Sequence, residues 1–281
     1  MESTVKKLCP TCWSDFRAVL PGCQIVNKLY LWEDRVFYLG QLPLLSEHRL
    51  GAAALCMGVD NVFQVLESED SQGRTCRSVL IPPGCLHEIH TATVQMAILF
   101  LDPESEQYTL LQNIMTEGEW QCLYRLVHED QGLAILCDLN QSDYGSTTVY
   151  DLLDNIIDPR KLVPHAHRLL DARIQKVVQL IKEDISQSSS VEALANNINL
   201  SPTRLVHLFK EQTGVPIRRF RQWHRMKAVA ALVAAGENLT DAALNAGFSD
   251  SAHFSRAFKN MFGMKPSFFF NRSADVQIII G

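Results

Sequence analysis

The chain has 281 residues, enough for two domains that each bury a core of their own. Its 47% hydrophobic and 20% charged residues exclude a disordered or fibrous chain. The net charge of −5 is unevenly divided, with +6 on residues 165–281 and −11 on residues 1–164, which directs any polyanionic partner to the second half.

The longest apolar runs, such as VQMAILFL (Val94 to Leu101), are too short to span a bilayer. The opening MESTVKKLCP lacks the apolar core of a secretory signal, so a cytoplasmic protein is expected. Eight cysteines run from Cys9 to Cys137 without a repeating frame. Cys9 and Cys12 form a CxxC, but no second CxxC or His pair follows to complete a zinc site, so reduced thiols are expected.

From Gln24 to about Asp102 the sequence is a series of short segments rich in Val, Leu, Ile and aromatics, punctuated by Gly, Pro and Asp-Asn turns. That pattern predicts an antiparallel sandwich or barrel. Residues 104–115, 118–130 and 147–157 carry apolar residues at three- and four-residue spacing and are predicted as helices. DPRKLVPHAH (Asp158 to His167), with two prolines, is the expected connector. From Leu169 the text is helical. Ile174, Val177, Val178, Leu180 and Ile181 form a stripe, and Ser189 with Glu192 reads as a capping box. Ser201 is a predicted N-cap, with Pro202 in the first turn and Gly214 past the end. A long helix is predicted over Pro216 to Ala235.

The most informative feature is a duplication. FKEQTG (Phe209 to Gly214) returns as FKNMFG (Phe258 to Gly263) at an offset of 49 residues. The same offset places Ala193 on Ala242, Asn196 on Asn245, Ser201 on Asp250, Leu205 on Phe254 and His207 on Arg256. Each copy is a short helix, a tight turn and a second helix, which is a helix-turn-helix unit. At about 100° per residue, Leu205, Leu208 and Phe209 share an inward face, as do Phe254, Ala257 and Phe258. Thr203, His207 and Lys210 then point outward, flanked by Arg204 and Val206. In the second copy Ala252, Arg256 and Lys259 point outward, with Ser251, His253 and Ser255 at the margins. These faces suit a major groove: Arg256 can donate two hydrogen bonds to guanine, and the hydroxyls of Thr203 and Ser251 can reach base or phosphate. The basic run Arg218 to Lys227 reads either as a phosphate-binding face or as a solvated one, and Arg225 as a structural arginine or a phosphate contact. Two other readings of the duplication are a purely structural helical array and one working unit beside a degenerate copy, since Ala252 offers only a methyl group.

The region from about Leu170 to Arg272 resembles the AraC/XylS family of transcription regulators. The resemblance rests on LANNINLSPTRLVHLFKEQTGVPIRRF, on Arg225 within HRMKAVAALV, and above all on GFSDSAHFSRAFKNMFGMKPS. It implies two helix-turn-helix units joined by the long helix and reading successive major grooves. The implied base contacts are Thr203, Val206 and His207, then Ser251, Ala252, His253 and Arg256. The family usually continues past Pro-Ser into an arginine where this chain has Phe270, with Arg272 two residues later. More loosely, the N-terminal half is similar to the cupin-like sensor domains of that family, LIPPGCLHEIH (Leu80 to His90) standing for a cupin's second motif. A cupin metal site would want more than His48 and His87, so a metal-free interior with a small-molecule pocket is expected.

The expected fold is therefore multidomain α+β. An N-terminal antiparallel β-barrel or β-roll of cupin-like type, with following helices, occupies residues 1–160. A linker spans 161–168, and an all-α double helix-turn-helix domain spans 169–274. The expected function is a sequence-specific regulator binding double-stranded DNA as a homodimer, with a small-molecule effector and RNA polymerase as further partners. No catalytic residue, metal or cofactor is expected. Two alternatives remain: a metal-dependent cupin enzyme working at His87, or a thiol sensor using Cys9, Cys12 or Cys85.

Overall fold

The computed structural model describes residues 27–67, 73–91, 94–119, 121–159, 170–186, 189–270 and 276–281. Cys9, Cys12, Trp120, the 161–168 linker and Arg272 lie outside them. Nine strands come first: β1 (Asn27–Leu31), β2 (Arg35–Gln41), β3 (Leu45–Arg49), β4 (Ala53–Gly58), β5 (Phe63–Glu67), β6 (Arg74–Cys76), β7 (Ser78–Ile81), β8 (Leu86–His90) and β9 (Gln95–Leu101). Then follow α1 (Glu106–Asn113), the hairpin β10 (Met115–Glu119) and β11 (Cys122–Leu126), α2 (Glu129–Gln141) and α3 (Ser146–Ile157). The C-terminal half contains α4 (Ala172–Glu183), α5 (Val191–Asn197), α6 (Pro202–Thr213), α7 (Ile217–Ala234), α8 (Leu239–Asn245), α9 (Ser251–Phe262), α10 (Ser267–Phe270) and a strand, β12 (Val276–Ile280).

The strands form two sheets rather than a closed barrel. The larger is ordered β10-β11-β7-β4-β9-β2-β1-β12 and the smaller β3-β8-β5-β6. The barrel part of the sequence expectation is thus corrected to an open two-sheet roll. Pairing is antiparallel except at one edge, where β12 lies parallel to β1 with Asn27 opposite Val276 and Leu31 opposite Ile280.

Side chains alternate across the large sheet, and both faces are covered. Phe37, Leu39, Leu55, Met57 and Leu99 pack under α1, α2 and α3 with Leu111, Leu136, Leu153 and Ile156. This double coverage explains the near-continuous apolar reading of β2, β4 and β9. Arg35, 0% exposed, fastens α3 to the sheet: its Nη1 donates to Asp154 (2.6 Å) and its Nη2 to the Tyr150 hydroxyl (2.8 Å). The opposite face presents Leu31, Val36, Tyr38, Ala54 and Ile98 to the C-terminal half, where Trp223, Met226, Phe258 and Met261 complete one core.

The stretch 118–130, expected as a helix, instead holds the end of β10, all of β11 and the turn after it, and only Glu129 and Asp130 are helical, as the start of α2. Leu123, Leu126 and Val127 mimic helical spacing, but Cys122, Tyr124 and Leu126 are the buried set, and their period is two. The capping box also moves by one residue. Ser190, not Ser189, caps α5, its hydroxyl accepting from Ala193 N at 3.1 Å.

Two glycines end the paired helices as expected. Gly214 (φ +77°) and Gly263 (φ +71°) each return their N–H to a lysine carbonyl at 2.8 Å, Lys210 and Lys259 respectively. Their surroundings differ. A Cβ on Gly214 would stand 3.5 Å from the Pro83 carbonyl, whereas one on Gly263 would collide with the Ser46 carbonyl on β3. Gly214→Ala is therefore expected to cost about 1–2 kcal/mol, the left-handed penalty alone, and Gly263→Ala clearly more. Urea unfolding of the two variants side by side checks the order.

Candidate nucleic-acid interface

Each helix-turn-helix unit is built by local chemistry. In the first, the Ser201 hydroxyl accepts from Arg204 N at 3.2 Å, and Pro202 opens α6. In the second, Asp250 accepts from His253 N at 2.6 Å and starts α9. That backbone bond and the Ser249 hydroxyl hold the Asp250 carboxyl below its ordinary range. The caps fix which residues face inward: Leu205, Leu208 and Phe209 in α6, and Phe254, Ala257, Phe258 and Met261 in α9 are buried.

The outward set then falls where helical geometry placed it. Thr203, Arg204, Val206, His207 and Lys210 are exposed on α6, and Ser251, Ala252, Arg256 and Lys259 on α9. Val206 is 40% exposed, which leaves its methyl groups on the outward face. His253 is only half-exposed. Its Nδ1 lies 3.1 Å from Ser249 Oγ and its ring meets Phe248 edge-on, so it also braces the turn. Arg225 resolves toward structure: its guanidinium donates to the carbonyls of Ile185 (3.0 Å) and Ser186 (3.4 Å), tying α7 to the segment after α4.

The two units differ in what lies behind them. The first has a core of its own, in which Ile174, Val177, Leu194, Leu205, Phe209 and Phe220 pack together. The second shares its core with the roll through Phe254, Phe258 and Met261. At the seam Trp223 Nε1 donates to Asp102 Oδ1 (2.7 Å), while Lys182 (2.9 Å) and Lys227 (3.3 Å) also reach the Asp102 carboxylate. Burial would raise that carboxyl, but Lys227, His224, Lys182 and the Trp223 bond outweigh it and hold it at about 2. Sequence reasoning missed this network because its members lie about 80 to 120 residues apart.

His48 and His87 face each other across the β3–β8 pair with ring centroids 4.2 Å apart. Each Nδ1 donates to a backbone carbonyl, of Ser46 (2.8 Å) and Cys85 (3.1 Å), and burial lowers their pKa values to about 4 and about 3. Both are neutral at physiological pH. They line an apolar crevice with Tyr38, Cys56, Phe262 and Met264.

A family model described as a helix-turn-helix domain matches residues 194–272. The arabinose operon regulatory protein of Salmonella typhimurium is 28% identical over 142 residues, 49% of this chain and 50% of that protein. The transcriptional activator RhaS of Klebsiella pneumoniae is 34% identical over 97 residues, 34% of this chain and 35% of its own. Over its helix-turn-helix half, the chain is similar to these regulators. It spans about half the length of the curated relatives it matches first. The two-domain fold extends the likeness: ToxT of Vibrio cholerae superposes with a TM-score of 0.55 at 12% identity, covering 84% of this chain and 97% of that one. A second ToxT structure, with an unsaturated fatty acid bound, gives 0.59 at 15% identity, covering 87% and 98%. Both of these sequence relatives are regulators by name. Among the described residues of this chain, no helix is long and apolar enough to cross a membrane.

Proposed function

We propose that the protein is a sequence-specific transcription regulator of double-stranded DNA, reading two successive major grooves with α6 and α9 under the control of its N-terminal roll. The observation that carries this reading is the exposure of both outward faces. Polar, basic surfaces on two like-built helices stand clear of the acidic roll, although α9 itself is docked against it. Thr203, Val206, His207, Ser251, Ala252, His253 and Arg256 are the proposed base contacts, with Arg204, Lys210 and Lys259 supporting them at phosphate. The 18 residues of α7 extend about 27 Å, a spacer of the order of one turn of B-DNA.

The division at residues 1–160, 161–168 and 169–274 belongs to this reading, as do a cytoplasmic location, homodimerisation and contact with RNA polymerase. For the effector, the crevice between sheet and second unit offers Leu29, Val36, Phe100, Trp223, Phe258 and Phe262. That lining is apolar and suits an apolar molecule, and the fatty acid held by one ToxT structure supports the choice of class. In this reading the second unit, which shares its core with the crevice, is the one an effector adjusts.

Selection of bound DNA from a random pool by the full chain tests the proposal. Two short motifs about 10–10.5 base pairs apart are expected. Arg256→Ala should then weaken binding to the selected sequence by about 1–3 kcal/mol and relax preference at one position. Unaltered binding by a folded Arg256→Ala protein would remove α9 from base readout, and failure to enrich any sequence would sink the regulator.

A further inference from the structure

We propose that Glu67, Cys85 and Cys122 form a binding site for a thiophilic divalent metal ion of the zinc class, and that its occupancy bears on the junction of α6 and α7. Cys85 closes the turn before β8 and Cys122 opens β11, yet their sulfurs lie 3.9 Å apart. Two thiolates on one tetrahedral zinc, each at ~2.3 Å, stand about 3.8 Å apart. The pair therefore already has the spacing of a metal edge, whereas a disulfide would require closure to about 2.05 Å.

A Glu67 carboxylate oxygen completes the group, all three ligand atoms lying within 4.8 Å of one another. The carboxylate is oriented from behind: the Tyr124 hydroxyl donates to Oε1 (3.1 Å) and Gln121 N to Oε2 (3.0 Å). Ligating carboxylates are held by such outer hydrogen bonds. All three residues are buried, and among the described residues Glu67 forms no ion pair, an uncommon position for a carboxylate. The other such group, Asp102, Glu104 and His224, differs because the ammonium groups of Lys182 and Lys227 already neutralise it.

The charge balance suits a buried site. The two sulfurs lie at hydrogen-bonding distance, one thiol donating to the other, so the pair carries protons that a metal ion would displace. As two sulfur–metal bonds form, two S–H bonds break and their protons pass to solvent. A divalent ion replacing two protons leaves the net charge unchanged, with Glu67 as third ligand.

The route outward is short. Cys85 N donates to Pro82 O (3.3 Å), and a Cβ on Gly84 would stand 3.2 Å from both the Gly214 carbonyl and Val215. Arg49 Nη1 donates to Gly84 O (3.0 Å), and Arg219 of α7 to Arg49 O (2.5 Å). Fixing Cys85 on a metal therefore fixes the turn on which the first helix-turn-helix unit ends. This regulatory half rests on the function proposed above; the site itself does not.

The test uses the full chain, reduced and freed of metal with a chelator, and titrated with Co²⁺ and then Zn²⁺. One cobalt per chain is expected, with a thiolate-to-metal charge-transfer band that zinc abolishes. Cys85→Ser, Cys122→Ser and Glu67→Gln should each weaken zinc binding by more than the roughly 10–100-fold that outer-sphere substitutions cost, while Cys137→Ser leaves it unchanged. A thiolate band that survives in both Cys85→Ser and Cys122→Ser, or no band at all, overturns the site. So does loss of two mass units under mild oxidant without metal uptake, which would make the pair a disulfide. Affinity for the selected DNA, with and without zinc, should differ in the parent and not in Cys122→Ser; equal affinities overturn the coupling. A protein that binds cobalt but enriches no DNA keeps the site and loses the regulator.

Discussion

Trp223→Ala is expected to destabilise the protein by about 3–5 kcal/mol, the range for deleting a buried aromatic side chain. Trp223 is 2% exposed on α7 and stands between the halves. Its ring lies 5.8 Å from Phe100 of the sheet and 6.4 Å from Phe262 of α9, and its Nε1 donates to Asp102. Truncation opens a void in the shared core and removes one donor from a buried carboxylate, and both effects carry the same sign. Phe209→Ala is the matched control. It removes a fully buried ring from the separate core of the first unit, and so should loosen α4–α6 while the roll stays folded. Hydrogen exchange resolves the two patterns. If Trp223→Ala unfolds at the parent's urea midpoint, the shared core contributes nothing and the halves are only neighbours.

The second large effect is acid lability. Burial lowers the pKa of His48 to about 4, and of His87 and His224 to about 3, against about 6.5 in an unfolded chain. Below pH 6.5 the unfolded chain therefore takes up protons that the folded chain refuses, and stability falls as pH falls. Three such sites give a slope of up to about 4 kcal/mol per pH unit between roughly pH 6 and pH 4. Asp102 adds to this lower down: its carboxyl is held at about 2, so its contribution is present above about pH 4 and is lost as pH drops through 2. Urea midpoints at pH 7.5, 6 and 5 should fall steeply, and His87→Gln should flatten the trend. A midpoint constant over that interval would mean that the histidines are solvated.

The legible parts of the sequence were those whose signal is local or repeated. Ser201, Pro202 and Gly214, echoed by Asp250 and Gly263, set both paired helices and therefore which side chains face outward. The doubly covered strands announced themselves as apolar runs. Residues 118–130 misled because Leu123 and Leu126 satisfy two periods at once, and pairing with β10 and β7 selects the strand. Helix α2 escaped notice because Gly132, a poor helix former, sits in its first turn. A Cβ there would stand 3.3–3.6 Å from Met57, Leu126 and Ile156, so a tertiary contact set the glycine. The Asp102 network, the Cys85–Cys122 pair and β12 were invisible for one reason: each depends on partners brought together only by the finished fold.

The parallel pairing of β12 with β1 has a mechanical consequence. The two halves are joined covalently through residues 160–169 and again through this five-residue ladder. A body hinged at one point can swing; one that is also held by a strand pair can only slide or twist a little. Signals crossing the seam must therefore travel as shear between packed surfaces, unless the clasp first peels open.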